Sequence, residues 1–165
     1  MTLTPMCLCL VIRTTADGER EVLLGRKKRG FGVGNIVGLG GHVEAGESPA
    51  RAAVRELREE SSLVVPESAL RPAGKLVFRF PARPDHDQEV TVFVTDTATG
   101  TPRECDEIAP AWYPVDALPL GAMWDDNGHW MPDVLEGRRV DAEFTFADDC
   151  LTVATARVRA EPVAG

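Results

Sequence analysis

Three glutamates lie within one helical turn of each other in segment 55–60, shortly after a glycine-rich stretch. Glu56, Glu59 and Glu60 occupy positions i, i+3 and i+4, so in a helix they share an arc of roughly 100°. Like charges at this spacing repel one another, and a hard divalent cation would relieve the repulsion. Mg²⁺ is usually held by a few carboxylates together with substrate phosphates. The cluster therefore predicts a magnesium site and a phosphate-bearing substrate, with an ordinary solvated helix face as the alternative.

The sequence also predicts the helix that carries these glutamates. Ser48 is a suitable N-cap and Pro49 suits the first helical position, so a helix is expected from there to about Ser61. A stripe at helical spacing is expected to be buried, and it comprises Ala50, Ala53, Val54 and Leu57. Glycines at 38, 40, 41 and 46 precede the helix, which is typical of backbone that approaches a ligand closely or adopts positive φ.

Alternating or apolar segments predict eight strands, at 6–12, 21–25, 36–41, 73–80, 89–96, 110–115, 140–147 and 150–158. A second helix is expected from about Asp126 to Glu136. These elements indicate an α/β fold in which a mixed sheet has a helix on each side. The tail from Ala160 to Gly165 is expected to be frayed.

Length and composition limit the classes of protein to consider. The chain of 165 residues, 44% of them hydrophobic, can bury one core, so we expect a single domain over 1–165. No segment has the roughly 20 apolar residues that span a bilayer, and the start lacks a basic segment followed by an apolar one, so a cytosolic protein is expected. The net charge of -8 argues against binding of polymeric nucleic acid. A monomer is the default expectation.

The cysteines and histidines do not indicate a further metal site. Cysteines 7, 9, 105 and 150 form no C-x-x-C pair and are expected to be free thiols. His42, His86 and His129 have spacings that fit no common zinc pattern, so structural or solvated roles are expected for each.

The glycine and glutamate spacing resembles the Nudix box. Gly41 is followed after five residues by Glu47 and, after seven more, by the segment Arg55-Glu56-Leu57-x-Glu59-Glu60. Nudix proteins hydrolyse a nucleoside diphosphate linked to another moiety, and the resemblance implies an α/β/α sandwich. Ser62 departs from the glycine that commonly ends this helix in the family. The departure affects stability and leaves the metal-binding carboxylates intact.

Further segments resemble one branch of that family, the oxidised purine nucleoside triphosphatases that act on 8-oxo-dGTP and 2-oxo-dATP and sanitise the nucleotide pool. The matching segments extend from about Leu8 to Val158, and the most distinctive are 23–32, 77–80, 100–102, 106–107 and 123–126. The resemblance implies a Mg²⁺-dependent diphosphatase, with Mn²⁺ as a possible substitute, that releases a nucleoside monophosphate and pyrophosphate.

The resemblance also implies roles for individual residues. Glu56, Glu59 and Glu60 would bind the metal and carry out catalysis, helped by the Gly40 carbonyl and by Glu107 from a separate loop. Either Glu56 or Glu60 would orient the attacking water. Glu47 and Arg55 are expected to form a structural pair that braces the loop against the helix. Lys27 would contact a phosphate or line the cleft, and a solvated lysine is the equal alternative.

The implied substrate pocket combines aromatic side chains, backbone near the glycines and acids next to a tryptophan. Its predicted members are Phe31, Asn35, Val37, Leu39, Gly40, Gly41, Phe78, Trp124, Asp125, Asp126 and Asn127. Aromatic faces can stack on a purine. A carboxyl group in an apolar cleft can hold a proton and so donate to one purine and accept from another.

Two departures from the family fall in this pocket. Val37 stands where the family has a base-binding Asn, and Asn35, two residues earlier, is a possible substitute. Asn127 stands at the second position of the family's acid pair, which leaves Asp126 and Asp125 as the acids. An amide cannot change protonation as a carboxyl group does, so base selectivity is the property most affected.

Three functions are therefore considered. The first is a diphosphatase for oxidised purine nucleoside triphosphates. The second is a Nudix pyrophosphatase for ADP-ribose, a dinucleotide or a methylated nucleotide, motivated by Val37 and Asn127. The third is a non-catalytic domain that senses nucleotides, against which the complete set of carboxylates argues.

Overall fold

Nine strands and two helices follow one another along residues 2–163, the part of the chain that the computed structural model describes. The strands are β1 (Thr4–Thr14), β2 (Arg20–Lys27), β3 (Ile36–Val37), β4 (Leu39–His42), β5 (Arg71–Arg79), β6 (Gln88–Thr95), β7 (Ile108–Pro114), β8 (Arg138–Phe146) and β9 (Val153–Pro162). The helices are α1 (Pro49–Ser61) and α2 (Asn127–Leu135). Short 3₁₀ turns cover Glu67–Ala69, Pro84–His86 and Leu120–Ala122.

The sheet is mixed, and it divides into two branches at strand β1, which pairs with two different strands along one edge. Along one edge β1 pairs in parallel with β6, from Thr4 to Val11. On the other edge the first half of β1 pairs with β4, whereas Ile12–Thr14 pairs with β2. The remaining order is β6-β5-β8-β9, and β7 and β3 both pair with β2. The sheet therefore has two branches on this edge of β1, one that begins with β4 and one that begins with β2, and residues of both line a common cleft.

One helix packs on each side of this sheet, as the sequence predicts. Alternate residues of β1 point to opposite sides. Cys7 and Cys9 lie in the buried cluster that contains Leu57 of α1, and Leu10 lies in the cluster that contains Trp130 of α2. All four cysteines are free thiols. No helix within residues 2–163 is long and apolar enough to cross a membrane.

Helix α1 begins and ends at the predicted residues. The Ser48 hydroxyl accepts a hydrogen bond from the Arg51 N–H, and Pro49 is the first helical residue. Ser62 ends the helix with φ of +68°, the left-handed conformation that glycine adopts at lower cost. The predicted buried stripe is partly wrong: Ala52, Ala53 and Leu57 are buried, whereas Ala50 and Val54 are only half-buried.

The bounds of the strands differ from the predicted ones, most of all in segments 36–41 and 150–158, and the tail is more ordered than expected. Segment 36–41 is divided at Gly38, because β3 pairs with β2 and β4 with β1. The last strand begins at Val153, since Asp149 accepts hydrogen bonds from the amides of Leu151 and Thr152 in the preceding turn. Residues Ala160–Pro162 pair with β8, so the expected fraying is wrong for them, and 164–165 lie outside the described residues.

Candidate active site

A cavity of about 750 Å³ occupies the cleft at the fork of the sheet. One end is formed by the glycines of β4, by Glu60 of α1 and by Glu107, which precedes β7. The other end is aromatic and includes Phe31, Phe78 and Trp124. The cavity therefore joins a carboxylate-rich end to an aromatic end.

Glu60 is the buried carboxyl group of the first end. It is 7% exposed, and its Oε1 accepts a hydrogen bond of 2.8 Å from the Gly40 N–H. It forms no ion pair with any residue in 2–163. Burial raises the pKa of Glu60 to about 8, the Gly40 hydrogen bond lowers it, and the charges of Glu56 and Glu107 raise it further. The positive charge of Lys27 also lowers the pKa, but it is the weakest of these influences, so Glu60 favours its protonated form near neutral pH.

Arg55 organises the other carboxylates of the box. Its Nε and Nη2 donate to both oxygens of Glu47, at 2.7 and 2.9 Å, so the expected pair is present. Its Nη2 also donates to the His42 carbonyl, which ties the loop to α1. Its Nη1 donates to Glu56 at 3.1 Å and to Glu59 at 3.3 Å. The Arg55 hydrogen bonds lower the pKa of Glu47 to about 2, whereas burial raises that of Glu56.

The donor set suits Mg²⁺ in chemistry, since it consists of hard carboxylate oxygens around an unbalanced buried carboxyl group. No three His, Cys, Asp or Glu side chains of residues 2–163 already form a cluster that would hold a metal. Arg55 holds Glu56 and Glu59, and Arg29 holds Glu107 at 3.0 Å. Metal binding by this set therefore requires the carboxylates to exchange their arginine partners.

The glycines of β4 are required by close approach. A Cβ on Gly40 would lie 2.0 Å from the Cys7 carbonyl oxygen, and one on Gly41 would lie 2.5 Å from a carboxylate oxygen of Glu56. Only glycine lets the backbone run this close to α1 and β1. The backbone of β4 is thereby held against the glutamates.

The aromatic end is a connected group of rings. Phe31 lies 5.2 Å from Trp124, and Trp124 lies 6.2 Å from Phe146, measured between ring centroids. Phe78 stacks on Phe144 at 5.6 Å. Lys27 lines the same cavity, and its Nζ donates to the Phe31 carbonyl oxygen at 2.6 Å. These rings offer flat apolar faces of the kind that pack on a planar base.

Polar side chains at the start of α2 border the rings. Asp126 is 4% exposed and accepts a hydrogen bond of 2.8 Å from Trp130 Nε1. Burial raises the pKa of Asp126 to about 6, although the Trp130 hydrogen bond opposes this. Asn127 is also buried, and its Nδ2 donates to the Trp124 carbonyl at 3.0 Å. Both side chains line the cavity.

Three predicted pocket residues do not line the cavity. Asn35 lies in the turn before β3 rather than on the strand, and its backbone pairs with Lys27 and Gly32. Leu39 is fully buried on the α1 side of the sheet. Asp125 is exposed and accepts a hydrogen bond from the Val153 N–H, so it braces β9. Val37 does line the cavity, but it supplies no hydrogen bond from its side chain.

Several residues that line the cavity are not among the predicted pocket residues, and His86 and Gln88 are two polar examples. A structural or solvated role is expected for His86, but the residue is half-buried at the cavity, and its ring centroid lies 4.5 Å from that of Phe31. The local sequence does not indicate that this ring faces the cavity, because it lies in a 3₁₀ turn, which has no periodicity that defines an inward face. Gln88 also lines the cavity, and it begins β6 one residue before the predicted strand. Its even spacing from Val90 and Val92, which are buried on the α2 side, is a signal that indicates the inward face.

Comparison with known proteins agrees with this geometry. The family model described as the NUDIX domain matches residues 8–134. An oxidized purine nucleoside triphosphate hydrolase of Mus musculus is 40% identical over 129 residues, which is 78% of this chain and 81% of the mouse protein. The protein of the same name in Danio rerio is 42% identical over 126 residues, covering 76% of this chain and 79% of the fish protein.

A solved structure shows the same fold at lower identity. The crystal structure of the Mutator MutT protein from Bacillus halodurans superposes with a TM-score of 0.76 and covers 94% of this chain and 97% of its own. Its sequence identity is 21%, so the likeness concerns the fold alone.

Proposed function

The chain belongs to the Nudix family, and on this premise we propose that it is a Mg²⁺-dependent diphosphatase for oxidised purine nucleoside triphosphates, which it hydrolyses to the monophosphate and pyrophosphate. One observation carries the proposal: a single cavity has Glu60 of the box and Glu107 at one end and an aromatic, acid-bordered pocket at the other. Glu56 lies next to this end, against Gly41. Such a cavity suits a substrate with a phosphate chain at one end and a planar base at the other. The proteins from mouse and fish, about 40% identical, support the same substrate class.

The box residues divide the work at the phosphate end. Glu56, Glu59, Glu60 and Glu107, with the Gly40 carbonyl, would hold Mg²⁺. When bound, the metal supplies neutralisation of the negative charge that develops on the phosphate oxygens. Either Glu56 or Glu60 would orient the attacking water, and both lie partly or fully buried beside β4. Arg55 keeps the loop and the helix in register.

Two cations at the cavity serve the phosphate chain. Lys27 and Arg29 both line it. Arg29 is paired with Glu107, and the charge of Lys27 acts on Glu60. Positive charge at the rim is needed because the whole chain carries -8 and repels a triphosphate at long range.

The base end supplies faces and hydrogen bonds. Phe31, Phe78 and Trp124 pack on the base, and Asp126 hydrogen-bonds its edge. With a pKa of about 6, the Asp126 carboxyl group exists in both forms near neutral pH. It can therefore donate a hydrogen bond to one purine and accept one from another.

A second candidate follows from the two departures in the pocket. Val37 presents no hydrogen bond, and Asn127 uses its amide nitrogen on the Trp124 carbonyl. A pocket with weaker contacts to the base would favour a substrate recognised through its other half, such as ADP-ribose or a dinucleotide.

A substrate panel separates the candidates. We would measure kcat/KM with Mg²⁺ for 8-oxo-dGTP, 2-oxo-dATP, dGTP, ADP-ribose and a diadenosine polyphosphate, using Glu56→Gln as the control for contaminating hydrolase. The proposal predicts at least tenfold preference for an oxidised purine triphosphate. Faster hydrolysis of ADP-ribose or the dinucleotide would favour the second candidate, and no turnover at all would favour a binding domain.

A further inference from the structure

The cavity contains a carboxamide in addition to Asn127. Gln88 is the single glutamine of the chain, and the asparagines are Asn35 and Asn127. Asn35 lies away from the cavity, and Asn127 is engaged with the Trp124 carbonyl. Gln88 and Asn127 are therefore the two carboxamides that line the cavity, and each donates one hydrogen bond to a backbone carbonyl.

The sheet register places Gln88 at the aromatic end. It pairs with Phe78 on β5 and with Thr4 on β1. Directly paired residues of neighbouring strands have Cβ atoms about 5 Å apart, so the amide lies beside the Phe78 ring. Gly40 pairs with Leu8 on β1, and Leu8 pairs with Val92 on β6. Val92 is four residues from Gln88 along β6, a distance of roughly 13 Å. Gln88 is thus far from the phosphate end.

A polar side chain at this position is unexpected from the packing. The next inward positions of β6 are Val90 and Val92, both buried in the apolar cluster that contains Trp130. Gln88 is half-buried at the end of this column. Its Nε2 donates to the His86 carbonyl at 3.2 Å, and its Oε1 accepts no hydrogen bond from any residue in 2–163. One amide hydrogen and the carbonyl oxygen remain for a ligand.

From these observations we propose that Gln88 is a specificity-determining residue, whose carboxamide hydrogen-bonds the purine base in place of the amide that is absent at Val37. The inference rests on the proposed function. The His86 carbonyl orients the amide, and Asp126 borders the same pocket from the start of α2. An amide presents an adjacent donor and acceptor, which complements a base edge that presents the same pair in reverse.

The test replaces the amide while preserving its size. Gln88→Met removes the hydrogen bonds and keeps a side chain of similar length. Glu89→Met is the matched control, because Glu89 is the next residue on β6, faces away from the cavity and pairs with Lys75. We expect kcat/KM for the preferred oxidised purine triphosphate to fall 10- to 100-fold in Gln88→Met. For deoxyribose 5-triphosphate, which lacks a base, the change should stay within twofold.

Three results would overturn the inference. If kcat/KM in Gln88→Met falls equally for the substrate without a base, Gln88 has a structural role. If Gln88→Met leaves the preference among bases unchanged, Gln88 does not determine specificity. The same loss in Glu89→Met would point to general damage to β6 and would also contradict it.

A binding measurement distinguishes failure of this inference from failure of the proposed function. We would measure Kd for 8-oxo-dGMP and for deoxyribose 5-phosphate by calorimetry without metal, where no turnover is needed. Gln88→Met should weaken binding of 8-oxo-dGMP at least tenfold and leave the sugar phosphate unchanged. If the unmodified protein shows no preference among bases in the substrate panel, the proposed function fails. If that preference exists but Gln88→Met keeps both it and the affinity for 8-oxo-dGMP, only the role of Gln88 fails.

Discussion

Two buried carboxyl groups, Glu60 and Asp126, mark the two ends of the cavity at the scale of single residues. Each is less than one-tenth exposed and has one neutral hydrogen-bond donor. Burial of a carboxyl group without a cation disfavours its ionised form. Such an arrangement costs stability in the free protein, and it is retained at positions where a ligand supplies the missing partner.

Asp126→Asn should change how stability depends on pH. The folded pKa of Asp126, about 6, lies above the ordinary value of 3.8, so ionisation opposes folding. The cost is absent below pH 4 and grows as the pH rises through 6, reaching roughly 2–3 kcal/mol. Asn keeps an acceptor for Trp130 and has no charge. The variant should therefore match the unmodified protein at pH 4 and exceed its stability at pH 7.

Urea unfolding of both proteins at pH 4, 5, 6 and 7 measures this difference. Parallel stability curves across the whole range would contradict a raised pKa at Asp126.

Glu60→Gln should raise the stability of the metal-free protein while it lowers the rate of hydrolysis. The amide oxygen can still accept from the Gly40 N–H, and the buried charge is removed, so we expect the metal-free variant to be about 1–2 kcal/mol more stable at pH 8. Hydrolysis should fall at least 100-fold. Thermal unfolding with and without Mg²⁺ provides a second measurement. Mg²⁺ should raise the Tm of the unmodified protein more than that of the variant, and equal shifts would exclude Glu60 from the metal site.

At the scale of elements, the sequence predicts the features that depend on neighbouring residues, such as helix caps and buried helix faces. The N-cap of α1, its last residue and the two helices on opposite sides of the sheet all follow from sequence patterns. The positions of Asn35 and His86 do not, because a turn and a 3₁₀ segment have no periodicity that defines an inward face. The division of segment 36–41 at Gly38 likewise depends on which strand each half pairs with, which is a tertiary property.

Ser62→Gly should stabilise the element that carries the glutamates. Ser62 ends α1 with φ of +68°, where a residue with Cβ is strained by about 1 kcal/mol relative to glycine. We expect the free energy of unfolding to rise by about that amount with kcat unchanged. Ser68→Gly is the matched control, since Ser68 lies in a 3₁₀ turn without positive φ and should gain nothing. An equal gain in both variants would exclude helix termination as the cause.

At the scale of the whole molecule, the pairing of β1 with β4, β2 and β6 places both ends of the cavity around one strand. Strands β4 and β6 flank the first half of β1, and β4 places its glycines against the glutamates of α1. Strands β5 and β6 and the start of α2 supply the aromatic end. The sequence predicts the helix that carries the glutamates and the close glycine backbone beside it, because the box lies within 20 consecutive residues. The base pocket is assembled from distant segments, so its members depend on register, and Leu39 and Asp125 could be placed only from the structure. Gln88 has a signal in the sequence, since its even spacing from Val90 and Val92 indicates the inward face.

The measurement that tests this account most directly is a competition assay in which 8-oxo-dGTP and dGTP are mixed with Mg²⁺ and both monophosphates are quantified over time. The ratio of the two rates gives the ratio of kcat/KM values without dependence on enzyme concentration, and Glu56→Gln serves as the inactive control. The account predicts that 8-oxo-dGMP appears at least tenfold faster per unit of substrate, with pyrophosphate as the other product. Equal rates, or products that persist with Glu56→Gln, would contradict it.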